Sequence, residues 1–124
     1  MKILCIGHAA YDITLKLKSY PIENKKIRLQ ERTVECGGGP AATGAYLLSK
    51  WKVPTSFSGV IGKDYYGEKV KKELLSVNVD LKYLQESTDI YTTCSYILAN
   101  LENGSRTIIT NKDPNNKLKD MKIE

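Results

Sequence analysis

The order of apolar runs predicts an α/β fold with a second, smaller β layer. Three observations carry this expectation. A short apolar run, Lys2 to Gly7, ends in glycine as buried strands of mostly parallel sheets do. Two stretches of helical character, Ala41 to Trp51 and the one beginning near Asp64, are separated by a second apolar run. Two polar excursions with hairpin character, at residues 12–35 and 91–110, interrupt that alternation.

Each element follows from its local pattern. Asp12 to Lys18 alternates polar and apolar residues, the period of a strand with one wet face. Tyr20-Pro21 and Glu23-Asn24 mark a turn, and Lys26 to Glu35 reads as a second, weaker alternating strand. Ala41 to Trp51 carries helix-compatible residues with apolar positions at Tyr46, Leu47, Leu48 and Trp51. Val53 to Ile61 holds Phe57, Val60 and Ile61 and reads as a second core strand. Asp64 suits the N-cap of a second helix, whose buried stripe is Val70, Leu74 and Val77 at i, i+4 and i+7. In that helix Glu68 precedes Lys72 by one turn, the spacing of a supporting ion pair. Leu81 to Leu84 reads as a short strand. Tyr91 to Leu101 and Ser105 to Thr110 flank Asn103-Gly104, a hairpin signal in which both residues tolerate positive φ. Asn111 to Glu124 is polar and lysine-rich and reads as a surface connection or a frayed end. The simplest arrangement joins both excursions in one sheet that covers the glycine-rich segment between them.

Composition narrows the classes of function. With 124 residues, 41% hydrophobic and 27% charged, the chain suits one soluble core and is too short for two ordinary domains. No stretch approaches the roughly 20 apolar residues of a membrane span. The run before Gly7 is also too short for a secretory signal, so the expected location is cytoplasmic, without membrane. Cys5, Cys36 and Cys94 are widely spaced and read as buried, reduced thiols. His8 is the only histidine, so no histidine-based metal site or Ser-His-Asp triad is expected. The net charge of +5 lies in residues 1–62, around Lys16, Lys18, Lys25, Lys26, Arg28, Arg32, Lys50 and Lys52. Those lysines alternate with apolar residues and lack interleaved stacking aromatics, which favours a solvated face over nucleic-acid binding.

The run Gly37-Gly38-Gly39-Pro40-Ala41-Ala42-Thr43-Gly44-Ala45 is the richest stretch. Glycine lacks a Cβ, so the main chain there can take positive φ and approach a ligand closely. Proline at a helix start has the right φ, and exposed N–H groups at that start suit polar or anionic ligands. Tight turning or close packing explains the same glycines, and the local chemistry leaves both readings open.

At this point the residues resemble the ribokinase-like (PfkB) carbohydrate kinases. Gly38-Gly39, Ala41, Thr43, Ala45, Lys52 and Gly62 fall on the spacing of that family's first signature; Thr43 replaces its usual Asn, and Lys52 its usual Gly or Ser. Gly7 with Asp12 five residues on, Gly62 to Gly67, and Gly104-Ser105-Arg106-Thr107 extend the resemblance over residues 2 to about 114. It implies a partial Rossmann-like, ribokinase-type core with a β lid, formed by segments of about 11–36 and 91–110. It also implies an activity for the whole protein, transfer of the γ-phosphate of ATP, with Mg²⁺, to a sugar hydroxyl. By position, Asp12 resembles the carboxylate that accepts hydrogen bonds from substrate hydroxyls, with a turn or cap role as the alternative. Gly38 and Gly39 resemble the backbone pair beside the sugar, and Thr43 stands, with shorter reach, where an amide binds hydroxyls. Arg106 is a candidate for an acidic substrate group or a solvent-facing hairpin residue. The Gly37 to Thr43 form also resembles the sulfofructose kinase branch, whose acidic substrate would give the basic first half a use.

The family's Gly-Ala-Gly-Asp signature, which carries the catalytic base and the phosphate anion hole, does not occur here, nor does GxxxxGK[ST]. The expectation is therefore a sugar-binding and lid half with no catalytic, cofactor-binding or metal-ligating residue of its own. Its base would lie beyond residue 124, and it would be inactive alone. The alternative is a non-catalytic binding module that dimerises through the lid or an exposed sheet edge.

Overall fold

The computed structural model describes residues 1–118, so the end of the polar stretch after Asn111 lies outside the described residues. The elements are β1 (Ile3–Ile6), β2 (Ala10–Leu17), β3 (Val34–Gly38), α1 (Pro40–Lys50), β4 (Thr55–Gly62), α2 (Tyr65–Ser76), β5 (Leu84–Ser87), β6 (Thr93–Asn100) and β7 (Ser105–Asn111). They form two sheets. β1, β4 and β5 make a parallel sheet in the order β1-β4-β5, and the other strands make a mixed sheet in the order β3-β2-β6-β7. The two polar excursions thus meet in one sheet, through the parallel pair β2–β6.

Both helices pack on one face of the parallel sheet. Phe57 and Ile61 of β4 are fully buried, against Ala42 and Ala45 of α1 and Val70 and Leu74 of α2. The helix period of α2 produces this stripe, which Val77 continues as a partly buried C-cap. α2 also packs against β2 and β3, and so lies between the two sheets. There Tyr66 stacks on Tyr11 of β2, with ring centroids 5.4 Å apart.

Several boundaries differ from expectation. Between Lys26 and Glu35 only Val34 onward is strand, because β3 pairs with β2 over Ala10 to Thr14 alone. Residues before Val34 have no strand alongside, and Asn24 turns the chain at φ 64°. The strand expected at Leu81 to Leu84 begins instead at Leu84; a turn closed by the Leu84 N–H on the Leu81 carbonyl precedes it. The β6–β7 hairpin has a loop of Leu101 to Gly104 in which Gly104 alone takes positive φ, at 73°. Its Gly104 N–H donates to the Asn100 carbonyl, so the turn is wider than a two-residue Asn-Gly turn. Glu68 pairs with Lys71 at 3.8 Å rather than with Lys72, and Lys71 also reaches Glu86 of β5 at 3.0 Å. All three cysteines are free, but only Cys94 is buried; Cys5 is half-buried and Cys36 is exposed on the edge strand β3.

Candidate functional site

The glycine run joins β3 to α1, and each of its glycines answers to a different neighbour. A methyl at Gly37 would meet Oε2 of Glu73 at 2.9 Å. One at Gly38 would occupy the space of the Asp12 carboxylate, which lies directly on that buried glycine. Gly39 caps α1 at φ 90° and ψ 135°, and a methyl there would strike the His8 carbonyl. Pro40 follows at the helix start, where its missing N–H costs nothing. Gly37 and Gly38 form the end of an edge strand, paired with Tyr11 and Ala10, and of the three only Gly39 takes positive φ.

Asp12 is set by β2, opposite Cys36 on one side and Ser95 on the other. Strand alternation places Asp12 on the face away from Tyr11, whose ring enters the core. Burial pushes the Asp12 carboxyl above its usual range; Arg106 pulls it down and Glu73 adds to the rise. Arg106 itself stands in the register row Lys16–Ala99–Arg106, four residues along β2 from Asp12. That separation is about 13 Å at the usual strand rise. The same face therefore carries Asp12 at the glycine end and the backbone of Lys16 and Arg106 four residues along, with the Arg106 charge near enough to act on Asp12. Ile97 and Ile108 lie in the row between them. Lys16 is also within 3.0 Å of Glu31.

Thr43 is exposed in the first turn of α1, with its N–H on the Gly39 carbonyl at 2.9 Å. It lines a small cavity of about 50 Å³ with Gly37, Gly38, Tyr46, Glu73 and Leu74. Gly38 is thus the shared member, with Asp12 against it and the Thr43 cavity beside it. The structure brings Asp12, Gly38, Gly39 and Thr43 together, and Arg106, whose backbone stands four residues along the sheet, acts on the Asp12 carboxyl from the same face. Glu73 was missed in the sequence, where it reads only as a helix-surface carboxylate. A larger hollow of about 840 Å³ lies at the far end of the mixed sheet, where Lys16, Lys18, Lys26 and Arg28 gather much of the excess charge.

A second cluster ties the sheets together beside this site. Asp64 caps α2 by accepting the Gly67 N–H at 2.8 Å, as its position predicts, and also accepts the Thr92 N–H at 2.8 Å. Thr92 in turn accepts the Gly62 N–H at 2.9 Å through its buried hydroxyl. Burial alone would raise the Asp64 carboxyl, but the bonds from Thr92 and Gly67 outweigh it and hold the group below its ordinary value. His8, beside Gly39, is held below its ordinary value by burial and by Lys112, whose Nζ lies 3.5 Å from Nε2.

A three-stranded parallel sheet under two helices, flanked by a mixed sheet that holds the Asp12–Gly38 contact, defines a ribokinase-type partial core. The family model for pfkB family carbohydrate kinases matches residues 1–124, and the chain belongs to that family. An ATP-dependent ribose-1-phosphate kinase of Halopiger xanaduensis is 26% identical over 115 residues, covering 93% of this chain and 38% of that protein. The structure of Giardia lamblia ribokinase superposes with a TM-score of 0.79 at 22% identity, over 89% of this chain and 35% of that one. Arabidopsis thaliana ribokinase, solved with ribose and ATP, gives a TM-score of 0.75 at 24% identity, over 89% and 35%. The chain thus spans little more than a third of the length of these relatives.

Proposed function

We propose that this chain is the sugar-binding and lid half of an ATP-dependent carbohydrate kinase. The observation that carries this reading is the Asp12 carboxylate seated on Gly38, beside the first turn of α1. An ionised carboxylate held by two flanking strands accepts hydrogen bonds from vicinal hydroxyls, and the bare main chain at Gly38 and Gly39 lets a sugar ring approach. Thr43 adds a hydroxyl at the helix start. The mixed sheet is the lid, and Arg106, on the same face as Asp12, would meet an anionic substituent of the substrate. ATP with Mg²⁺ is the phosphoryl donor implied for the whole protein; none of the site residues named here is assigned to it. The base that activates the attacking hydroxyl belongs, on this reading, to sequence beyond residue 124. A cytoplasmic location accords with the same reading.

The test is to assay the whole protein with ATP against a panel of sugars, nucleosides and sugar acids. Phosphorylation of at least one is expected, and none across the panel would overturn the reading. The isolated 124-residue chain should show no turnover.

A second reading, a dimerisation module, rests on β7. This edge strand is exposed along its whole length, with Ile108 and Ile109 49% and 55% exposed. Light scattering during size exclusion decides it: a dimer supports pairing, and a clean monomer excludes it.

A further inference from the structure

Glu73 has no assigned role, yet it makes a direct contact with the first glycine of the run. It projects from the last turn of α2, and its carboxylate accepts the Gly37 N–H at 2.5 Å, across 36 residues of sequence. Gly37 lies in β3, the edge strand of the mixed sheet, where an outward N–H has no neighbouring strand to receive it. A side chain at 37 would stand 2.9 Å from Oε2 and 3.2 Å from Cδ of Glu73 and would push that carboxylate away from its present position. The next residue, Gly38, carries Asp12 on it. One residue of main chain therefore separates the carboxylate delivered by the helix from the one delivered by the sheet.

We infer that Glu73 is a positioning residue of the Asp12 site: by holding the Gly37 amide it fixes the height at which Gly38 passes beneath Asp12. The hydrogen bond anchors the end of an edge strand to a helix whose buried stripe, Val70 and Leu74, is rooted in the core. Without that anchor, the strand end is retained by its pairing to Ala10 and Tyr11 and by its junction with α1 at Gly39. The inference rests on the sugar-site reading for its consequence, but the contact itself can be tested without any sugar.

Two variants of the 124-residue chain separate positioning from bulk stability. Glu73→Ala removes acceptor and charge, whereas Glu73→Gln keeps an acceptor oxygen and removes only the charge. Amide exchange is followed by NMR at Gly37 and, as an internal reference, at Phe57 in the core strand β4. Glu73→Ala should speed exchange at Gly37 about tenfold while leaving Phe57 within about twofold, and Glu73→Gln should restore most of the protection. The Asp12 carboxyl, which faces Arg106, Glu73 and the Cys36 thiol, is titrated in the same samples. Its midpoint should fall in both variants, since a neighbouring negative charge has gone.

Unchanged exchange at Gly37 in Glu73→Ala would overturn the positioning role, and so would equal acceleration at Gly37 and Phe57 in both variants. Neither readout involves substrate. Loss of the sugar reading would leave these results standing, and their failure would leave sugar binding by Asp12 open to its own assay.

Discussion

Asp12 and Gly38 form a pair in which each residue explains the other. The carboxylate occupies the volume a β-carbon would need, so Gly38→Ala must displace Asp12, the strand end, or both. Because Asp12 is half-exposed, its carboxylate can swing aside at small cost in stability. If the sugar reading holds, the variant should lose sugar binding while its urea midpoint changes little. Asp12→Asn keeps the shape and removes the charge. If sugar hydroxyls bond to the carboxylate, affinity should drop about 10- to 100-fold by calorimetry, the range for a hydrogen bond to a charged group. A change under twofold would remove Asp12 from the site. The pH dependence has a defined sign. Burial raises the Asp12 carboxyl, so this group favours the fold at low pH, and that contribution is lost as pH rises through its folded value. Sugar binding that needs the ionised form should run the other way, weakening as pH falls through a midpoint above the ordinary value of 3.8.

Among the elements, α2 depends most on a single cap. Asp64 accepts the Gly67 N–H within the helix start and the Thr92 N–H from outside it, so Asp64→Ala removes both at once. Loss of an N-cap typically costs about 1 kcal/mol, and the orphaned Thr92 N–H adds to it. A lower urea midpoint at unchanged slope is expected. The native Asp64 carboxyl sits below its ordinary 3.8, so its contribution is present above that value and fades as pH falls through the folded one. Asp64→Asn should therefore flatten the acid limb of the stability profile. This cap was legible in the sequence because Asp before a helical stripe is a local signal, as was the Val70 and Leu74 stripe. The end of β3 was not. Gly37 and Gly38 look like loop residues until Tyr11 and Ala10 are seen beside them. Lys26 to Leu29 look like a strand although no neighbour pairs with them. Strand identity depends on a partner elsewhere in the chain, and alternation alone does not supply one. For the same reason Asp12 was reached only through the family resemblance, whereas Glu73, which reaches Gly37 from another element, left no trace in any local pattern.

At the scale of the molecule, the two sheets share no strand ladder, so their union depends on α2 and on the link through Thr92. Thr92 is 3% exposed and closes both ends of that link: its hydroxyl takes the Gly62 N–H, and its own N–H goes to Asp64. The mixed sheet meets the core through the connections at Gly7 to Ala9, at Gly39 and at Thr92, all at the end where Asp12 sits. The opposite end carries Lys16, Arg106 and the hairpin loop, with Leu17 and Asn100 buried there. A sheet hinged this way should open as a unit about its attached end. Thr92→Val leaves the backbone of the link in place but strands the Gly62 N–H without its acceptor. It should speed amide exchange in Thr93–Asn100 and Ser105–Asn111 by about tenfold, while the amides of Thr55–Ile61 stay within about twofold. Equal acceleration in both sheets would show that they unfold together, and would exclude the mixed sheet as a separately moving lid. Selective acceleration would place its hinge beside the Asp12–Gly38 contact, where a bound sugar would be positioned to draw it closed.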